Sequence, residues 1–354
     1  MSKVYFRRID SYSKTSEINE ASRKILEKIQ SENNILNFSE PIPIKVHFGE
    51  DKNITFIEPK NYVGVIDYLK QNTKSNSKKG PGIYYIETNV LYKGKRTTRE
   101  SHLEVAKEHG FTQLPIIIAD GEMGEEYEEV DISDSNPKHF KKCKIGKKIA
   151  EAKQLLVLAH VKGHISAGYG AAIKQLSMGC AARGGKLDMH AKSKPTLVPL
   201  LCKKCHTCVK NCPTDACIID TLVPHIDYAK CIGCAKCIAV CPYGAMQINW
   251  LSTGQEEFTE KLAEYALAAQ KGKKVIYINF LLNITKECDC MGNPMKIIAK
   301  DIGVLGSTDP VALDKASLDL LEKNEHKKLF SGQHALEHAE KIGLGTQKYE
   351  IIEI

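Results

Sequence analysis

The stretch "QLLVLAHVKGHISAGYGAAIKQLSMGC" (154–180) carries the pattern that decides the fold. It opens on the apolar run "QLLVLAHV", whose length and composition read as a buried strand. A Gly-rich turn follows, then a segment that reads as a helix. Glycines after a strand let a ligand approach the backbone at a helix N-terminus. The spacing matches neither GxGxxG nor a phosphate-binding P-loop, so it does not call for a nucleotide. On composition alone the segment is a tight strand–helix crossover with a surface lysine.

The same grammar recurs on both sides. Upstream, "PIPIKVHF", "NITFIEP", "GIYYIET" and "LPIIIAD" read as strands, and "TSEINEASRKILEKIQSE" and "TTRESHLEVAKEHG" as amphipathic helices. Downstream come a helix ("EEFTEKLAEYALAAQKG"), two strands ("KKVIYINFLL", "DIGVLGS") and a final helix. That helix starts with Thr308 or Asp309 as cap and Pro310 at its first position. Such alternation predicts an α/β host with a partly parallel sheet, in one or two lobes. Its ligands would gather at the carboxyl ends of the strands. "KQNTKSNSKKGPG" (70–82) reads as a polar surface loop.

Two cysteine runs interrupt this pattern. "CKKCHTCVKNCP" (202–213) and "CIGCAKCIAVCP" (231–242) both follow C-x2-C-x2-C-x3-C-P. They resemble a bacterial-type ferredoxin with two [4Fe–4S] clusters, an α+β module. Three close thiolates hold three irons, and the last cysteine of the other run reaches the fourth. Cys202, Cys205, Cys208 and Cys241 therefore belong to one cluster, and Cys231, Cys234, Cys237 and Cys212 to the other. Four-cysteine zinc sites would not need two runs each ending in Pro. Cys217 reads as core filler. The organisation is thus a host domain (1–195), the ferredoxin module (196–250) and the second part of the host (251–354).

Composition excludes several classes. At 354 residues, 42% hydrophobic and 26% charged, the chain has ample material for a globular core. No apolar run is long enough for a bilayer, and "MSKVYFRRIDSYSK" lacks the apolar core of a signal peptide, so the expected compartment is the cytoplasm. A net charge of +7 comes from scattered lysine pairs such as Lys78 and Lys79, and Trp250 is the single tryptophan. Nucleic-acid binding would need a continuous basic stripe with stacking aromatics. Thirteen cysteines without a secretion signal point to metal thiolates in a reducing cytosol.

The opening stretch also resembles the signature of the nickel-pincer lactate racemase family. His164 is followed by Ala167-Gly168-Tyr169-Gly170, then Lys174 and His190, at that family's spacing. The resemblance implies a cofactor-site amine at Lys174, a metal ligand at His190 and a proton shuttle at His164. The chain departs from it at Gly170-Ala171-Ala172 and at Met178-Gly179, and those racemases have no ferredoxin. Through "TNVLYKGKRTTRESHLEVA", "IIADGEMG", "VKGHISAGYGAAIKQLSMGC" and "CDCMGNP…DIGVLGSTDPVALDKASLDL", nearly the whole chain resembles a large iron–sulfur protein family without an assigned reaction.

Three cysteines remain. Cys288 and Cys290, in "ECDCMGNP", sit two apart on an extended segment and so share a face. With Cys180 they would bind a third [4Fe–4S] cluster, or a single Zn or Ni ion; plain thiols are the alternative. Arg99 and His102, with Arg96, offer a carboxylate clamp or a second proton shuttle, or an ordinary charged helix face.

These readings lead to a redox enzyme. In it the module passes single electrons to or from a host site built on His164, Lys174, His190 and the remaining cysteines. A non-enzymatic electron carrier or cluster-handling protein is the first alternative. A racemase-like isomerase with structural clusters is the second. The partner is a redox protein or a small-molecule substrate. The oligomeric state, homodimer included, is not encoded in any motif.

Overall fold

The computed structural model describes residues 1–73, 82–190, 194–249 and 253–354. Most of the surface loop expected at 70–82, and Trp250, lie outside the described residues. Eight strands form the central sheet: β1 (Ser2–Arg8), β2 (Ile42–Lys45), β3 (Ile83–Glu87), β4 (Ile116–Ile118), β5 (Gln154–His160), β6 (Lys274–Leu281), β7 (Gly303–Ser307) and β8 (Tyr349–Glu353). Their order is β8-β1-β7-β6-β5-β2-β3-β4. β7 runs antiparallel to both β1 and β6, and the other pairings are parallel.

The sheet is buried on both faces, and β5 shows why. Leu155 and Val157 enter one core, whereas Leu156 and Leu158 enter the other. That is the two-residue period of a strand apolar at every position from Leu155 to Ala159. Against one face pack α1 (Thr15–Asn33), α2 (Val63–Asn72) and α3 (Arg99–Glu108), through residues such as Ile25, Leu69 and Ala106. The other face is covered by α4 (Ala172–Ser177), α5 (Arg183–His190), α6 (Gln255–Gln270), α7 (Pro310–Glu325) and α8 (Gln333–Lys341). At the start of α7 the cap is Asp309 rather than Thr308; it accepts from the Val311 and Ala312 N–H groups at 2.9 and 3.0 Å.

Two sequence expectations change here. "NITFIEP" is a loop, not a strand, because the Asn53 side chain accepts from the N–H groups of Thr55 (2.8 Å) and Phe56 (3.1 Å) and turns the chain back. β1 and β8 carry no clear strand signal in the sequence. They pair with each other toward the sheet's edge, and β8 has only half-buried apolar positions, so its alternation is weak.

Between α5 and α6 the chain leaves the host for residues 194–249. Thr196–Leu197 pairs antiparallel with Met246–Gln247, so the two ends of the insert meet and the module closes on itself. A second ladder joins Cys217–Ile218 to His225–Ile226, and two short helices carry Cys208 and Cys237. The α+β module has its own core, including Ile219, Ile226, Ile238 and Met246.

Candidate functional site

β2, β3, β5 and β6 end at Lys45, Glu87, His160 and Leu281. A cavity of about 380 Å³ opens beyond these carboxyl ends. His164, Lys174, His190, Cys288 and Cys290 all line it. The segment 154–180 is indeed a strand–helix crossover, but its lysine faces the cavity rather than solvent. Gly170 makes this geometry accessible. A Cβ there would stand 3.2 Å from Lys174 Cδ and 3.5 Å from Lys162 Cε, so glycine lets two lysine stems converge.

Lys174 Nζ lies 3.4 Å from Cys288 Sγ, and the Cys290 N–H points at the same sulfur from 3.5 Å. The Cys290 thiol, then Lys174 and Lys162, hold Cys288 well below the usual thiol range, against the opposing effect of burial. Cys290 is driven up by its neighbour Cys288 and by burial. One sulfur is thus the thiolate and the other the thiol. Asp289, between them, turns the opposite way: its carboxylate meets His160 Nδ1 at 3.0 Å and Lys162 Nζ at 3.1 Å. Burial would raise Asp289, but His160 and Lys162 outweigh it and hold the acid ionised. This clamp fixes the cysteine loop from behind.

His164 Nδ1 accepts from the N–H groups of Ser166 (3.2 Å) and Ala167 (3.0 Å). The donor atoms of His164, Cys288 and Cys290 all lie within 4.8 Å of one another. Burial first, and then Lys174, keep His164 well below the usual imidazole range, and the same influences bring His190 down to about 3. Two close sulfurs and a neutral imidazole are a donor set that fits a Zn-type or Ni-type ion. With Nδ1 accepting, the ring proton sits on Nε2 in the metal-free chain, and binding a metal there would release it.

Other expected residues do not join this set. Cys180 is fully buried behind α4, with its sulfur 3.8 Å from the Gln175 carbonyl, and burial pushes its thiol up to about 11. The expected third cluster therefore lacks its third sulfur, and His164 takes that place. His190 lines the cavity but stands outside the group of three donors; its ring stacks on Phe258 at 4.7 Å. Neither Arg99 nor His102 reaches the cavity. Arg99 points outward and pairs with Glu122 at 2.8 Å, while His102 is buried edge-on against Phe48. Arg96 does line the cavity, paired with Glu50 at 2.9 Å.

Sequence reasoning missed Lys45, Glu87, Lys162 and Lys186. The signal was a charged residue closing an apolar run, as in "PIPIK" and "IYYIE". Lys45 is fully buried and pairs at 3.2 Å with Glu87, which lines the cavity.

In the module, Cys202, Cys205, Cys208 and Cys241 surround one small cavity, and Cys212, Cys231, Cys234 and Cys237 surround another. The crossed grouping expected from the two runs is the one the chain brings together. Cys217 is buried in the module core, as expected, and there its sulfur also stands beside Cys237 and Cys212 of one set and Cys208 of the other. None of the thirteen cysteines forms a disulfide. The module meets the host at Gly184 on α5. A Cβ on Gly184 would stand 3.2 Å from the Gly233 carbonyl and 3.5 Å from Cys234 Cα.

A family model described as a domain of unknown function (DUF362) matches residues 42–319, from β2 into α7 and across the module. The chain belongs to the DUF362 family. Shorter segments of this DUF362 chain are similar to iron–sulfur proteins. Over 70 residues it is 43% identical to the iron-sulfur subunit of a putative dimethyl sulfoxide reductase of Halobacterium salinarum, covering 19% of this chain and 24% of that protein. Over 50 residues it is 38% identical to the electron transport protein HydN of Escherichia coli K12, covering 14% and 29%. Over 59 residues it is 42% identical to ArrB, the iron-sulfur component of the arsenate respiratory reductase of Shewanella sp. ANA-3, covering 16% and 25%. The chain thus spans about a quarter of the length of these relatives. These likenesses support an iron–sulfur redox role in general terms. Among solved structures, the lactate racemase apoprotein of Thermoanaerobacterium thermosaccharolyticum aligns at a TM-score of 0.41 and 12% identity, covering 89% of this chain and 56% of that one. No helix among the described residues is long and apolar enough to cross a membrane.

Proposed function

We propose that this DUF362 protein is an iron–sulfur oxidoreductase whose ferredoxin module relays single electrons to the cavity at the carboxyl ends of the sheet. The observation that carries the reading is the contact at Gly184. The loop bearing Cys234 packs against α5, and α5 also carries Lys186 and His190 into the cavity wall. The cysteines of the two crossed sets would each hold one [4Fe–4S] cluster, and His164, Cys288 and Cys290 would hold a single metal ion. Bound there, such an ion would supply Lewis acidity or a redox couple.

The chain's own residues prepare the site. Lys174 keeps Cys288 anionic, the Asp289 clamp fixes the spacing of the two sulfurs, and burial keeps His164 neutral. His164 Nε2 carries the ring proton in the metal-free chain and becomes the metal donor once that proton leaves. An acceptor or donor protein would meet the module from outside, in a reducing cytoplasm where thiolate ligands persist.

Anaerobic purification with metal and sulfide analysis tests this. About eight irons plus one further metal per chain are expected. The C288S/C290S double variant should keep the irons and lose the further metal, whereas C180A should lose nothing. Equal metal in wild type and the double variant would sink the cavity centre.

A further inference from the structure

Four side-chain cations line the cavity (Arg96, Lys162, Lys174 and Lys186) against one carboxylate, Glu87. Three of the charges nearby are settled in pairs. Arg96 meets Glu50 at 2.9 Å, Lys162 meets Asp289 at 3.1 Å, and Glu87 meets Lys45 at 3.2 Å. Lys174 and Lys186 are different. Lys186, 5% exposed, donates to Thr88 Oγ1 at 2.6 Å and to the Ala181 carbonyl, both neutral acceptors. Asp120 and then Glu87 are the acids that act on it through space, yet neither bonds its Nζ: Asp120 accepts from the Asn89 backbone and side chain, and Glu87 pairs with Lys45. Lys174 has only the Cys288 sulfur. No carboxylate or carbonyl bonds its Nζ among the described residues.

An ammonium carries three donors, and a buried donor left without an acceptor is costly. Two of them in one cavity call for an anion. The remaining wall is largely apolar, with Val90, Leu91 and Met178 inside and the exposed Ile165 and Met291 at the mouth. The volume, about 380 Å³, is that of a small-molecule site.

From this we infer that the cavity binds an organic anion, with its oxyanion head between Lys174 and Lys186 and an apolar body running out past Ile165 and Met291. Carboxylate and phosphate heads share this chemistry. The inference rests on the cavity being the host's reaction site, and it names the class of molecule that enters.

The test uses the anaerobically purified full chain and isothermal titration calorimetry with octanoate, octyl phosphate and neutral octanamide. At least one of the two anions should bind about tenfold or more tightly than the amide; which one tells carboxylate from phosphate. In K186M the preference should fall to about twofold, and K186R should keep it. Equal binding of all three probes overturns the anion site, as does an unchanged preference in a K186M protein that retains its metals. If K186M does not fold, loss or retention of the preference in K186Q decides the same point. Metal content measured on the same samples separates the two ideas. Absent selectivity in fully metallated protein overturns only the anion site, while wild type holding cluster iron alone overturns the function beneath it.

Discussion

Lys174 and Cys288, 114 residues apart in sequence, meet at 3.4 Å in the cavity wall. The ammonium is raised by the two sulfurs even though burial, the larger single influence, opposes it. The pair therefore stays charged on both sides, and Cys288 is held as the nucleophilic, metal-competent form.

Removing the charge should be visible in the thiol. In metal-free K174M, alkylation of Cys288 by iodoacetamide at pH 7 should be about tenfold slower than in wild type, because the thiolate fraction falls. Mass spectrometry of the labelled peptide reads the rate at Cys288 alone. An unchanged rate would mean that Cys290 by itself sets the Cys288 acidity.

The contact at Gly184 is tight, with a Cβ there meeting the Gly233 carbonyl at 3.2 Å and Lys144 Cδ at 3.3 Å. G184V should push the Gly233–Cys234 loop away and destabilise the host–module junction by about 1–3 kcal/mol. Both clusters should still assemble, since their ligands lie within the module. Electron passage from the clusters to the cavity should slow, as followed by flash reduction. An unchanged transfer rate would move the electron path elsewhere.

Cys217 offers its thiol to Cys237 and Cys212 of one cluster set. Hydrogen bonds to ligand sulfurs favour the more negative, reduced cluster and so raise its potential. C217V should retain about eight irons and show a lower reduction potential in an EPR-monitored titration. Potentials equal to wild type would return Cys217 to a packing role.

Asp314 anchors the crossover that presents Lys174. Its carboxylate accepts from the Ala172 N–H (2.9 Å), the Ile173 N–H (3.0 Å) and Asn279 Nδ2 (2.9 Å), all buried. Burial nonetheless pushes the acid up to about 6, with those hydrogen bonds pulling the other way. A folded-state value above the unfolded one means that the folded chain takes up the proton first. The contribution of Asp314 to stability therefore grows as pH falls through 6. Relative to D314N, wild type should gain about 1 kcal/mol between pH 7.5 and 5.0 in denaturant unfolding. A relative loss over that range would show the carboxylate to be more stable buried than exposed.

Local pattern was enough for much of this. The two cysteine runs marked the module, because C-x2-C-x2-C-x3-C-P confines three sulfurs by covalent spacing alone; the crossed grouping came from the resemblance to a ferredoxin. The continuous apolar run of β5 marked a strand buried on both faces, and the cap of α7 was legible to within one residue. His164, Lys174, Cys288 and Cys290 were recognisable as reactive residues standing beside glycines and strand ends.

Which of them meet was a different matter. Cys180 lies close to His164 in the chain, yet the end of α4 turns its sulfur into the core. Cys288 lies far downstream, yet the parallel pairing of β5 with β6 sets its loop against Lys174. Lys186 entered the cavity on a helix whose start no sequence signal announced. Sequence by itself determined the strands, the module and the inventory of reactive groups, since these depend on spacing within a few residues. Only the tertiary structure decided the membership of the site, because side chains from distant segments converge according to strand order and helix packing, which nearest-neighbour patterns do not encode.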